Sequence, residues 1–311
     1  MSKLEEVASG LRFPEGPVAM PDGSVLVVEM FGPRITRVRP DGSKETVADV
    51  PGGPNGLALG PDGAAYLCNN GGCFTEVRLG DQTLPGPHDP DRYIGGRIQR
   101  VDLDSGDVTD LYTECDGWPL RAPNDLVFDE HGGFYFTDHG VTDTRARVAH
   151  LTGLYYAQPD GSAIREVVFP ASSPNGIGLS PDGTTLYWAE TMNGRVMRRQ
   201  VTGPGVVAPA TMGPADCLYG LGGLQLLDSL AVDGDGNVCV ATLVNGGITV
   251  VSPAGELVEF VATDDLITTN ICFGGPDLTT AYITASSTGR VLRTAWPRPG
   301  ARLHHAVPAA R

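Results

Sequence analysis

One phrase recurs six times along this chain, and no other feature of the sequence restricts the fold as strongly. It reads FPEGPVAMPDGSVLVVE from Phe13, PNGLALGPDGAAYLCNN from Pro54 and PNDLVFDEHGGFYFTDH from Pro123. It returns as PNGIGLSPDGTTLYWAE from Pro174, LDSLAVDGDGNVCVATL from Leu227 and TNICFGGPDLTTAYITA from Thr269. Each copy combines a polar loop, a short apolar strand, a tight Asp-Gly-type turn and a second apolar strand. Third strands are expected at 34–38, 97–101, 153–156, 195–198, 247–251 and 290–293. Turns such as Pro40-Asp41-Gly42 and Pro159-Asp160-Gly161 lead to fourth strands, for example 45–48 and 165–169. Four strands in each of six units predict an all-β fold, a six-bladed β-propeller with four-stranded antiparallel blades. The sixth unit runs out near Trp296 without a clear fourth strand. Residues 4–9 are free to supply it, so the ring is expected to close through the N-terminal strand, which removes a sheet edge. No linker breaks the register, and residues 1–311 are read as a single domain.

Composition agrees. The 42 glycines and 25 prolines suit many turns and short strands, and a 41% hydrophobic content is enough for a large core and excludes disorder. A net charge of −15 makes nucleic acid and anionic membranes poor partners. Lys3 and Lys44 are the only lysines, and no GxxxxGK[ST], GxSxG or HExxH frame occurs. P-loop enzymes, serine α/β-hydrolases and zincins are thereby removed. The six cysteines form no CxxC pair and are read as reduced and mostly buried, although the Cys68–Cys73 spacing permits a local bridge. The first ten residues lack an apolar signal core and no 18-residue apolar run exists, so no membrane span and a cytoplasmic location are expected. A monomer or small homo-oligomer is expected.

The residues in one register of the six phrases are Glu15, Asn55, Asn124, Asn175, Asp228 and Asn270, at intervals of 40, 69, 51, 53 and 42. Equivalent positions of a closed ring converge on its axis. Two carboxylates and four carboxamides are all oxygen donors, which select Ca²⁺, Mg²⁺ or Mn²⁺. Glu15 and Asp228 carry the charge, and bringing them together without a cation raises a carboxyl pKa. Pro-Asn-Gly alone is ordinary turn chemistry, but a tight turn gains nothing from the Glu of Phe-Pro-Glu-Gly. Asn193-Gly194 and Asn245-Gly246 are assigned to hairpin turns. The long interval holds an insertion, residues 71–96, placed as a lid over the channel mouth. Asp138-His139 ends a strand and is a candidate for a supporting or capping role, His304-His305 belongs to an expected frayed tail, and Tyr187, Trp188, Phe134 and Phe136 are expected core.

The phrases FPEGP, APNDLVFDEHGGFYFTDHG, PNGIGLSPDG and LDSLAVDGDGN resemble the SMP-30/gluconolactonase/luciferin-regenerating family over essentially the whole chain. The resemblance implies a propeller holding a divalent cation, Ca²⁺ first with Mg²⁺, Mn²⁺ and Zn²⁺ as alternatives, at the top of the channel. Carried over by residue, it makes Glu15, Asn175 and Asp228 metal ligands, and Asn124 a fourth ligand or a substrate contact. The chain departs from the pattern in its insertion after Asn70. It departs again at Arg121, which stands three residues before Asn124 where some lactonases have Arg two before.

The resemblance further implies a hydrolase acting on a carboxylic ester bond, a lactonase opening a small-molecule lactone or related ester. The metal polarises the carbonyl, and Asp228 activates water or, for an activated phosphorus ester, attacks directly. An organophosphate or fluorophosphate hydrolase at the same site and a non-catalytic binding propeller are the alternatives. Substrate contacts are expected from Asn55, Arg121 and Asn270 and, on the insertion, from Phe74, His88 and Tyr93.

Overall fold

In a computed structural model, residues 3–211 and 216–305 are described. The first repeat forms strands Pro14–Ala19, Val25–Glu29, Arg34–Val38 and Lys44–Asp49, paired in that order in one antiparallel sheet. The second, third and fifth repeats do the same, the fourth forms a sheet with one further strand, and the sixth supplies three strands. Their innermost strands are Pro54–Leu59, Pro123–Phe128, Pro174–Leu179, Leu226–Val232 and Thr268–Gly274. These pack side by side in sequence order, and the last returns to the first, so six blades surround one axis. Glu5–Ala8 pairs antiparallel with Arg290–Ala295 and becomes the outer strand of the sixth blade. The expected ring closure is therefore present.

The alternation of each strand explains the core. In the run Val25-Leu26-Val27-Val28, Val25 and Val27 pack against the sixth blade, where Tyr282 and Val291 meet them. Leu26 and Val28 face the second blade and meet Leu57, Leu67 and Val101. Both sheet faces are buried, so a continuous apolar run replaces the polar–apolar alternation of a half-exposed strand. Phe134 and Phe136 lie between blades two and three, Tyr135 and Trp188 between three and four, and Tyr187 between four and five. All six cysteines are free thiols.

Two further features stand at opposite ends of the ring, and of these the sequence offered only the capping role of Asp138. At the end where the innermost strands begin, a side-chain acceptor closing the second strand holds the N–H groups of the segment entering its own blade. Glu29 takes Arg12 N (2.7 Å), Asn69 takes Gly53 N (2.9 Å), Asp138 takes Arg121 N and Ala122 N (2.7 and 2.8 Å), and Glu190 takes Ser172 N (3.2 Å). Asp138 thus caps and supports the backbone leading to Asn124. At the other end, residues 297–305 cross beneath the blades instead of fraying. Arg298 bonds the buried Asp233 at 2.7 Å and also pairs with Glu259, Ala301 N donates to Val232 O at 3.0 Å, and the His305 ring meets Phe128 at 5.4 Å.

Candidate functional site

The six register residues stand inside the innermost strands, not in the loops before them. The proline that reads as a loop residue in four of the phrases is the first residue of its strand, where no ladder donor is required. Each inner strand also carries a register shift at this point, between Glu15 and Val18, Pro54 and Leu57, Pro123 and Leu126, Pro174 and Ile177, Leu227 and Leu230, and Thr268 and Asn270. A bulge leaves a residue out of the ladder and re-aims its side chain. All six shifts fall at the same end of the ring, beside the register residues. Asn55, Asn124, Asn175 and Asp228 lie within the shifted stretch, while Glu15 and Asn270 keep the ladder partners Val28 and Thr284.

The backbones there are nearly in contact. A Cβ placed on Gly16 would lie 2.5 Å from Asn55 O, and one on Gly56 would lie 2.5 Å from Asn124 O. Glycine at these positions is therefore a packing requirement. Thr137 Oγ1 donates to Asn175 O at 2.5 Å and Ser286 Oγ to Pro14 O at 2.5 Å, tying neighbouring blades at the same level.

Three buried carboxylates influence one another across the axis. Burial drives the Glu15 carboxyl well above the ordinary carboxylate range, with Asp228 and Asp125 raising it further and a Thr269 hydrogen bond opposing. These acids stand on blades one, five and three, so their mutual influence runs across the ring and not along a strand. Burial also raises Asp228, against a hydrogen bond from Asn175; it retains some accessible surface, but its polar surroundings do not offset the lost water. Asp125, absent from the sequence-based set, is pushed up to about 7 by burial, against hydrogen bonds from Leu126 N and Ser229. Its only signal in the sequence is Asn-Asp in the third phrase where the second and fourth have Asn-Gly.

The carboxamides divide into two kinds. Asn270 Oδ1 is occupied by the N–H of Ile271 at 2.8 Å, and Asn175 Oδ1 lies 3.5 Å from Ser229 Oγ. Asn55 Oδ1, Asn124 Oδ1 and Glu15 Oε2 are buried acceptors without a hydrogen-bond donor. Buried orphan acceptors are costly, and three of them beside ionisable carboxylates form a donor set that fits a hard cation. Among the described residues, no group of three or more His, Cys, Asp and Glu could hold a metal. A cation here therefore depends on the carboxamides.

The expected contacts on the insertion do not form one wall. His88 Nδ1 lies 3.0 Å from Cys73 O, and its ring meets Tyr93 edge-on at 5.1 Å. Tyr93 Oη donates to Arg121 O and accepts from Gly96 N at 3.1 Å. Both support the segment's own packing. Phe74 packs with Cys73, Ala122 and Val141, meets His139 at 6.1 Å, and lines a cavity. Arg121 uses its backbone N–H and carbonyl in these contacts, and its guanidinium has no ion pair or hydrogen bond among the described residues.

The structure is a six-bladed propeller whose inner strands carry carboxylates and carboxamides at one end of the axis. The chain belongs to the SMP-30/gluconolactonase/LRE-like family, whose region it matches over residues 13–287. It is 28% identical to lactonase drp35 of Staphylococcus epidermidis over 243 residues, 75% of this chain and 64% of that protein. It is 30% identical to lactonase drp35 of Staphylococcus saprophyticus over 256 residues, 81% and 70% of the two. The chain thus spans slightly less than two thirds of the first of these relatives. Its fold is shared with a gluconolactonase of Xanthomonas campestris (TM-score 0.74, 20% identity, 96% and 90% covered). A calcium-binding regucalcin of Agrobacterium tumefaciens shares it also (TM-score 0.70, 19% identity, 94% and 95% covered).

Proposed function

We propose that the protein opens a lactone by hydrolysis at the axial cluster, with Glu15, Asn124, Asn175 and Asp228 holding a divalent cation, Ca²⁺ first. The observation that carries this reading is the set of buried, unpaired oxygens beside carboxylates from alternate blades. The lactonase relatives support the substrate class, and the calcium-binding neighbour supports the ion. The chemistry that a divalent cation supplies when held there is polarisation of the ester carbonyl.

The chain's own groups do the rest. Asp228, with one oxygen fixed by Ser229 N at 3.1 Å, accepts a proton from the attacking water and returns it to the ring alkoxide as the C–O bond breaks. Ser229 is fully buried, and its Oγ lies between Asn175 and the Asp125 carboxylate, so it holds the base and a ligand in fixed relation. Arg121 offers an uncommitted guanidinium to a substrate hydroxyl or carboxylate.

Residues 71–96 act as a lid. Their hairpin, Glu76–Leu79 with Gln82–Pro85, reaches the sixth blade through Thr83 N to Ser287 O at 2.8 Å. Arg12 fixes it to the first blade through Glu76 at 2.7 Å, and Arg145 on the third blade meets Asp89 at 3.4 Å.

A lactone panel and a fluorophosphate, assayed with and without Ca²⁺, test the reaction class. Calcium-dependent turnover of lactones is expected. Turnover of the fluorophosphate alone overturns it.

A further inference from the structure

A cavity of about 300 Å³ is lined by the insertion and the first two blades. It adjoins the segments that deliver two cluster residues: Arg12 on its wall is three residues before Glu15, and Gly53 is two before Asn55. Met30, also in the lining, directly follows Glu29, which pairs with Pro14 across the first blade. The cavity therefore opens at the same end of the ring as the cluster.

Its walls combine apolar side chains with charges that are mostly paired. Met30, Phe31, Pro33, Pro51, Phe74 and Ile94 supply the apolar surface. Four charged residues also line it, two basic (Arg12, Arg92) and two acidic (Glu76, Asp89). Arg12 is paired with Glu76 at 2.7 Å, and Asp89 with Arg145 at 3.4 Å. Asn70 has its polar atoms engaged, Oδ1 with Gly72 N at 2.9 Å and Nδ2 with Met30 Sδ at 3.5 Å. A bare ring lactone bound at the axis would leave these walls unused, and Arg92 is the single lining charge without an ion pair among the described residues, against six apolar side chains.

We propose that this cavity seats an uncharged alkyl or acyl arm on the substrate, with Ile94, Phe31 and Phe74 as its walls, so that the chain prefers arm-bearing lactones to bare rings. The proposal rests on the lactonase reading above. The size lies at the lower end of small-molecule sites, which suits a short arm. The braces from the insertion to blades one, three and six hold the cavity open before substrate arrives. Ile94 is the residue to change, because it is 48% exposed, whereas Phe74 belongs to the packed cluster with Ala122 and Val141.

The test compares unsubstituted, propyl- and hexyl-substituted γ-lactones on the parent and Ile94→Asp proteins. Each buried methylene should raise kcat/KM by up to about fourfold, the equivalent of ~0.8 kcal/mol. Ile94→Asp should lower the hexyl-to-unsubstituted ratio at least tenfold. A parent ratio near one, or a variant that scales every lactone equally, overturns the proposal. Calorimetric titration of the same lactones into the Asp228→Asn protein reads the cavity without turnover. Tighter binding with arm length, lost on adding Ile94→Asp, supports the cavity even if the parent hydrolyses none of them, in which case the lactonase reading alone fails. Binding that ignores arm length overturns the cavity proposal whatever the turnover.

Discussion

Stripping the protein of divalent metal should make its stability fall as pH rises toward neutrality, opposite to the usual behaviour of a protein rich in paired carboxylates. Asp125 carries the magnitude. Burial moves it from an ordinary 3.8 to about 7 in the metal-free fold. Between those values the folded state holds a proton that the unfolded chain has released, so each pH unit removes up to ~1.36 kcal/mol of stability. Across about three units, the loss at neutral pH comes to about 4 kcal/mol, and the raised Glu15 and Asp228 act in the same direction. The acid limb has the opposite sign, because Asp22 and Asp41, lowered by their serine hydrogen bonds, lose stabilisation only below the ordinary carboxylate range. Urea unfolding of chelator-treated protein at several pH values from 5 to 7.5, with and without calcium, reads the effect. Stability should drop across this window without metal and flatten with calcium, and Asp125→Asn should remove much of the metal-free slope. A metal-free curve that stays level or rises, or one that calcium leaves unchanged, refutes the reasoning.

Asp228→Asn should lower kcat by at least about 100-fold while circular dichroism and cooperative unfolding stay those of the parent; near-parental turnover removes Asp228 as the base. Replacing residues 74–93 by a short glycine-rich link should reorder lactone preference and leave calcium affinity within a few-fold, since the segment contains no register residue; loss of calcium binding by calorimetry would place it in the metal site. Arg298→Ala leaves buried Asp233 without its guanidinium and should cost about 2 kcal/mol in urea unfolding; an unchanged midpoint would mean that the tail does not anchor the lower end.

The fold was legible because its signals are local and repeated. Turns built from Asp, Gly and Pro, followed by apolar runs, mark strands in each unit, and the missing outer strand of blade six left one vacancy that Glu5–Ala8 fills. The site was legible only as a register. Whether Asn55 or Asn124 sits in a loop or on a bulge depends on ladder pairing across two strands, which no single phrase contains. Asp125 escaped notice because an aspartate after asparagine reads as turn chemistry, and its burial comes from Gly56 on one neighbouring strand and Ser229 near the axis. His88 and Tyr93 were expected to face substrate, but a 26-residue insertion far from the main cores must bury its own apolar surface, and these rings do so. The tail was misread for a related reason. His304-His305 lacks an apolar pattern, and its partner Phe128 lies more than 170 residues away.

The crowding of the inner strands permits a test of the site that changes none of its oxygen donors. Gly56 follows Asn55 and has no side chain to contribute, yet a Cβ there would lie 2.5 Å from Asn124 O and 2.6 Å from the Asp125 Cα. Both are backbone atoms, so relief requires the third inner strand to shift outward by an appreciable fraction of an ångström. That strand carries Asn124 and is tied to its neighbour through Thr137, which bonds both Asp125 O and Asn175 O. A displacement approaching 1 Å in a catalytic constellation can cost on the order of 100-fold in rate. Gly56→Ala should therefore weaken calcium binding and lower kcat/KM for bare and arm-bearing lactones by the same factor, because the axial cluster moves and the insertion does not. Ile94→Asp should do the reverse, changing the ratio between lactones with calcium affinity unaltered. If Gly56→Ala folds and keeps parental calcium affinity and turnover, Asn124 does not belong to the site.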